Sequence, residues 1–210
     1  MRFITTQLIK KICALTLLWV SCTVLFANQS PVPMLQQTAN QIIDVLKQHR
    51  SQLAHNPSIV YSAVDQYMVP HVDVDGMSRS VLGRQAWMKA TPSEREEFKQ
   101  VFKQLVIRTY ASPLAGYTNE TVEFLPIRGS LDGQFVRVNS VIVRPSANNI
   151  GLNYSLVFQS GQWKIYDLSV EGVSLLQSFH NQFAEVLQNS DMQALIKEMR
   201  QRSSLKAKKS

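Results

Sequence analysis

The sequence predicts an α+β fold in which helices pack on one face of a curved antiparallel sheet of four to five strands. Three observations predict it. Apolar residues recur at helical spacing as far as Tyr117, the period then drops to two over four consecutive runs, and helical spacing returns from Leu176. The connections between the alternating runs are too short for crossover helices, so neighbouring strands must run antiparallel. No internal repeat or low-complexity linker divides the body, and residues 28–200 are expected to form one domain.

The elements follow in order. Arg2, Lys10 and Lys11 precede an apolar run over residues 12–26, then Ala27 and the polar Asn28-Gln29-Ser30. That is the layout of a secretory signal peptide over 1–27, and the run is short for a bilayer span of ~20 residues. Leu35, Thr38, Ile42, Val45 and Leu46 form a helical stripe. Asn56-Pro57 reads as an N-cap with proline at the first helical position, opening a helix that carries Val60, Val64, Tyr67 and Met68 and stops before Pro70. PHVDVDGMS then reads as a turn-rich link. Thr91-Pro92-Ser93-Glu94 is a capping box, and behind it Phe98, Val101, Phe102, Leu105, Val106 and Tyr110 make a buried face that Pro113 ends. Strands are expected over 121–127, 135–143, 150–158 and 163–170, the last two joined by the tight turn Ser160-Gly161. Two helices finish the chain, one carrying Phe179, Phe183 and Leu187 and one capped by Ser190 with Gln193.

Of the formal net charge of +7, residues 1–27 carry +3 and residues 197–210 carry +5, leaving −1 for 28–196. The body is near neutral, with no basic stripe for nucleic acid. The basic end over 201–210 reads as a solvated, disordered tail, with anionic lipid as its other possible contact. Both cysteines, Cys13 and Cys22, fall within the expected signal peptide. The mature chain is therefore expected to hold no disulfide, thiolate metal site or cysteine nucleophile. Trp19-Val20-Ser21 is a poor lipobox, which argues against lipoprotein processing at Cys22.

No catalytic constellation is legible. His71, Asp73 and Asp75 lie close together, but the spacing of a calcium loop and its closing glutamate are missing, and a capped turn explains them better. His49, His55, His71 and His180 form no HExxH pair, and Gly172-Val173-Ser174 lacks the second glycine of a nucleophile elbow. No metal or cofactor site is expected. Asp167, in mid-strand, is the carboxylate that could serve as a raised-pKa base, although pairing with Arg84 or Arg137 or capping of backbone amides is the simpler role. The strands carry long apolar faces: Ile150, Leu152, Tyr154, Leu156 and Phe158 on one, Val136, Val138 and Ile142 on its neighbour. Lys164, Tyr166, Leu168 and Val170 share one face of the last strand, and Trp163, Ile165, Asp167 and Ser169 the other. Eight residues of strand span ~26 Å, more than the ~15 Å of one leaflet's tails, long enough to sheathe an acyl chain. Periodicity alone favours an ordinary core.

Four motifs in one order change that balance. VLGRQAW (81–87), the F-x3-F-x7-Y spacing of Phe98, Phe102 and Tyr110, TYASPLAGY (109–117) and WKIYDLxVEGVSL (163–175) resemble the MlaC family, the periplasmic phospholipid-binding proteins of the toluene-tolerance (Mla) transport system of Gram-negative bacteria. The match runs from about Leu35 to Ile196. It departs at Ser178-Phe179-His180, where the family usually shows an aromatic-arginine pair, and at Val72, where an aromatic commonly precedes Asp73. The resemblance implies a non-enzymatic carrier with an apolar cavity between sheet and helices that holds phospholipid tails as cargo and leaves the headgroup near solvent. It implies transfer between an outer-membrane lipoprotein-porin complex and an inner-membrane ABC lipid transporter complex, contributing to outer-membrane lipid asymmetry. The residues expected around the tails are Tyr110 and Leu114 from the helix and its closing loop, and Val136, Val138, Tyr154, Leu156, Phe158 and Val170 from the strands. Val173, Leu175, Phe179 and Phe183 from the last motif and the helix behind it complete the set. Two other readings remain open on the residues themselves: a small-substrate enzyme with Asp167 as acid/base, and an interaction module with a solid core.

Overall fold

The structure, a computed structural model, describes residues 29–129 and 131–209, and beyond Ser204 the backbone alone. The expected signal peptide over 1–27 lies outside the described residues. Among those residues no helix is long and apolar enough to cross a membrane.

Among the described residues, six α-helices and one open five-stranded sheet make up the α+β fold. Helix α1, Val32–Gln48, buries the expected stripe through Leu35, Thr38, Ile42 and Leu46. Helix α2, Ser58–Tyr67, begins one residue later than expected: Pro57 is its N-cap, and the Asn56 side chain accepts from the Ser58 hydroxyl instead of capping an amide. The segment read as a turn-rich link is largely helical. After a 3₁₀ turn at Val69–His71, helix α3 runs Val74–Lys89, opened by Asp73, whose carboxylate accepts from the Gly76 amide at 2.9 Å. Gly76 does not break this helix. A Cβ there would lie 2.1 Å from Asp73 Oδ2, so glycine is what lets the cap close. Inside α3, Gly83 adopts φ +71° and ψ 162° and kinks the helix. His180 Nδ1 lies 3.0 Å from the Val81 carbonyl beside that kink.

Helix α4, Pro92–Ala111, has the complete capping box: Glu94 N donates to Thr91 Oγ1 at 3.2 Å and Thr91 N donates to Glu94 Oε2 at 2.9 Å. It tightens into a 3₁₀ turn at Ser112–Gly116, where Pro113 cannot continue the α-helical ladder.

The strands are β1 Thr121–Phe124, β2 Phe135–Val143, β3 Ile150–Gln159, β4 Gln162–Val170 and β5 Val173–Ser174, paired antiparallel in sequence order. β1 is shorter than the expected 121–127 because Pro126 has no donor to extend the ladder. Ser160 and Gly161 both have positive φ (51° and 77°), as a two-residue hairpin requires. The register shifts once: Ser155 faces Asp167 while Leu156 faces Ile165, so Tyr166 is an inserted residue. This bulge corrects the expected alternation of β4. Trp163 and Ile165 before it share the helix-facing side with Leu168 and Val170 after it, as their partners Phe158, Leu156, Tyr154 and Leu152 require.

Helix α5, Leu175–Asn189, is capped by Ser174, whose Oγ accepts from Gln177 N at 3.1 Å. The last helix, α6, Met192–Lys209, is capped by Asp191 and not by Ser190: Asp191 Oδ1 accepts from Ala194 N at 2.8 Å. It continues through the segment expected to be disordered, helical to Lys209, with Ser203 buried and Arg202 paired to Glu198 at 2.5 Å.

The core falls into three clusters. Phe98, Phe102, Phe179 and Phe183 centre the first, between α3, α4, α5 and α6, with ring centroids 5.3 to 5.9 Å apart across the T-shaped pairs. Ile42, Leu46, Val60, Ile107 and Tyr117 form the second, among α1, α2 and the end of α4. The third joins Leu35 of α1 to Val138, Tyr154, Leu156, Trp163 and Ile165 on the sheet. Space remains where the three meet.

Candidate functional site

That space is a cavity of about 460 Å³, within the range of sites that hold small organic ligands. Every cluster contributes to its lining: Ile42, Ile107 and Tyr117 from the second, Met77, Phe102 and Leu175 from the first, Ile165 from the third. The sheet supplies the floor through Ile142, Ile150, Leu152, Leu168 and Val170. Opposite lie Val106 and Tyr110 of α4, with Met68, Val69 and Val72 from the segment that joins α2 to α3 and Val74 at the start of α3. A parallel bridge between Val72 and Ile165, with Asp73 N donating to Ile165 O at 2.9 Å, fixes that segment to the sheet. Pro113, Leu114 and Gly116 of the 3₁₀ turn close one end, with Glu120 and Arg144 of the loops flanking the last β1–β2 rung.

Of the residues expected around the tails, Tyr110, Leu114, Val170 and Leu175 line this cavity. The others lie elsewhere. Val138, Tyr154 and Leu156 are 0 to 3 % exposed in the sheet core, and burial pushes the Tyr154 hydroxyl up to about 12. Val136 and Phe158 pack at the edge of that core, Phe158 with its ring 5.1 Å from Trp163. Phe179 and Phe183 belong to the helical aromatic core, and Val173 is 63 % exposed on β5. The reason is coverage. The apolar side of the sheet is continuous, but the start of α1 packs on only one half: Leu35 enters the sheet core, and Trp163 Nε1 donates to Gln29 O, just before the helix, at 2.6 Å, whereas Ile42 farther along α1 lines the cavity. The half carrying Ile142, Ile150, Leu152, Leu168 and Val170 is left to face the cavity. Alternation identifies a face and not which of its rungs a helix covers. Val72, Val74 and Met77 were missed because their segment read as a link, although the Asp73 cap was there to mark the helix.

The polar groups of the lining have defined states. Burial raises the pKa of the Tyr110 phenol, and the nearby charge of Asp167 adds to the effect. Tyr110 is thus a neutral donor. Lys103 is paired with Asp65 at 3.0 Å. Glu120 accepts from Thr118 N (2.7 Å), Thr118 Oγ1 (2.9 Å) and Asn119 N (3.1 Å). Burial alone would raise its pKa, but these bonds together lower it, so it stays ionised and turned to its own loop.

Asp167 does not line the cavity. Its Oδ1 accepts from Leu168 N at 2.8 Å and Leu176 N at 3.1 Å, and Oδ2 accepts from Ser174 Oγ at 2.7 Å. The carboxylate ties β4 to the first turn of α5, where negative charge is favoured. Neither Arg84 nor Arg137 is among its partners in the described residues. The enzyme reading loses the base it named. Asp73 is a cap, Asp75 pairs with Lys99 at 2.8 Å, and His71 has its pKa lowered by burial and then by Lys164. Among the described residues no group of three or more His, Cys, Asp or Glu could hold a metal ion. What the site offers is a hydrocarbon-lined space with the charged Glu120 and Arg144 at one end, an arrangement suited to an amphiphile.

Comparison with known proteins agrees with this architecture. Residues 36–201 match the family model described as MlaC protein. The toluene tolerance protein ttg2D of Pseudomonas putida is 28 % identical over 164 residues, 78 % of this chain and 76 % of that protein. The intermembrane phospholipid transport system binding protein MlaC of Haemophilus influenzae is 26 % identical over 184 residues, 85 % of this chain and 84 % of its own. Among solved structures, the phospholipid-binding protein from Ralstonia solanacearum in complex with a phospholipid superposes with a TM-score of 0.76 at 27 % identity, over 83 % of this chain and 97 % of that one.

Proposed function

The chain belongs to the MlaC family, and from that premise we propose that it is a periplasmic carrier of phospholipid, holding the acyl tails in the cavity between the sheet and α4. The observation that carries this reading is the hydrocarbon-lined cavity of about 460 Å³ where three cores meet. The similarity to a protein solved with a phospholipid supports it.

The physical case is the cost of hydrocarbon in water. Each methylene exposed costs ~0.8 kcal/mol, so two long tails cost on the order of 20 kcal/mol. Unassisted crossing of an aqueous compartment is correspondingly rare, and a protein that substitutes its own apolar lining removes the barrier. The same figure forbids release into water. Cargo leaves only when the cavity opens against an acceptor, which is the role we assign to an inner-membrane ABC lipid transporter complex and an outer-membrane lipoprotein-porin complex. Carriage between them contributes to outer-membrane lipid asymmetry. No step of this cycle needs a covalent change in the lipid, and the protein acts as a carrier and not an enzyme.

Native mass spectrometry of the mature protein, followed by extraction of whatever it holds, tests the reading. Co-purified phospholipid is expected. A protein recovered empty from periplasm, and unable to take phospholipid from mixed micelles, would refute it.

A further inference from the structure

Among the described residues, the cavity lining holds two cations, Lys103 and Arg144, and only Lys103 has a carboxylate partner. Arg144 is positioned by its own hairpin. Its backbone N donates to Asn149 Oδ1 at 3.2 Å, and its Nε donates to the Asn148 carbonyl at 2.5 Å. The second bond uses the Nε edge of the guanidinium and leaves both Nη groups without a described protein partner. Glu120, which stands with Arg144 just beyond the Thr121–Val143 rung, does not satisfy them, being held by Thr118 and Asn119. A half-buried cation fixed beside hydrocarbon, with two donors to spare, is matched to an amphiphile whose anionic group has two acceptor oxygens.

We propose that Arg144 binds the phosphate diester of the cargo lipid, its two Nη groups donating to the non-bridging oxygens while the tails fill the cavity. This rests on the carrier reading above and adds a selectivity to it. The protein distinguishes a glycerophospholipid from a diacylglycerol with the same tails. The headgroup beyond the phosphate remains outside the site, and its identity matters less than the phosphate itself.

The test uses the full mature chain, delipidated and refolded, as wild type and as Arg144→Gln and Arg144→Lys. Each is offered an equimolar mixture of phosphatidylglycerol and diacylglycerol with the same acyl chains in detergent, and bound lipid is counted after separation. Wild type is expected to favour phosphatidylglycerol. Arg144→Gln is expected to lose about tenfold of that preference, the equivalent of 1.4 kcal/mol, read as the ratio of the two lipids bound by the same sample. The lysine variant, which keeps the charge without the planar fork, should fall between them. A glutamine variant that folds and keeps the wild-type preference overturns the proposal, as does a lysine variant equal to wild type should the glutamine variant not fold. Wild type that loads both lipids equally overturns the phosphate site and leaves the carrier reading standing; wild type that loads neither overturns both. Inorganic phosphate is the remaining arm. If it saturates the Arg144 Nε–H resonance while lipid choice is indifferent to position 144, the site belongs to the free anion and the lipid assignment fails.

Discussion

Leu168→Asp puts a titratable charge on the cavity floor. Leu168 is half-buried on β4, opposite Tyr154, and faces Val106 and Tyr110 across the space. In the empty protein, water in the cavity can solvate the new carboxylate. When tails enter, that water leaves, and the carboxyl must be neutral to remain. An aspartate with an ordinary pKa of about 3.9 is three units from neutrality at pH 7, at ~1.4 kcal/mol per unit, so loading is weakened by about 4 kcal/mol or 10³-fold. At pH 5 the gap is about one unit, and the penalty falls to ~1.5 kcal/mol. The pKa is raised in the loaded state, so loading is retained at low pH and lost as pH rises. Leu168→Asn carries the same loss of packing without the charge and serves as the reference. Phospholipid bound per folded protein, measured at pH 5 and pH 7 with folding checked by circular dichroism, decides the matter. Equal loading of the Asp and Asn variants at pH 7 would show that Leu168 does not face the tails. A deficit of the same size at both pH values would show that charge is not its cause.

Asp167→Ala removes the acceptor for two amides and one hydroxyl; we expect a loss of roughly 2 kcal/mol, a melting temperature lower by ~4 to 8 °C, and unchanged lipid per folded molecule. If loading fails while stability holds, the carboxylate has a role beyond anchoring α5. Leu156→Ala, at 0 % exposure in the sheet core, should cost ~2 to 5 kcal/mol yet leave lipid selectivity intact, and denaturant titration beside lipid extraction reads both. Export is checked by N-terminal sequencing of periplasmic material, which should begin near Asn28; an intact Met1 in the membrane fraction would contradict it.

Most of the helical half of the fold was legible because its signals are local, the start of α3 and the end of α6 excepted. The Thr91 capping box and the Phe98, Phe102, Leu105 stripe each depend on residues within a turn or two of one another. The β2–β3 and β3–β4 pairs were equally readable from alternation and short connections. Most of what escaped depends on contacts distant in sequence, the cap at Asp73 being the local exception. Nothing around Tyr166 announces an inserted residue; the bulge exists because the partner strand and the bridge from Val72 to Ile165 impose a register. Asp73 closes a cap only because Gly76 has no Cβ, a fit that composition reads as two turn formers. The cavity is the clearest case. Leu152 and Leu156 lie on the same side of one strand, and the sequence treats them alike. One faces the void and the other is sealed, because the first turns of α1 pack on the second through Leu35, while farther along the helix Ile42 lines the void.

The sheet's two margins are unequal in length but alike in being brief. β1 offers four residues before Pro126, and β5 offers two before the chain turns into α5. Their brevity passes the edge inward: β1 covers β2 only from Ser140 to Val143, and β5 covers β4 only at Ser169 and Val170, so residues 135–139 and 162–168 keep a margin of their own. On β4 that margin is interrupted by the bridge from Val72 to Ile165, the bond from Asp73 N to Ile165 O, and Lys164, whose Nζ donates to Pro70 O at 2.7 Å. A free edge broken up in this way gives an incoming strand little continuous backbone to pair with, which guards the sheet against edge-to-edge addition.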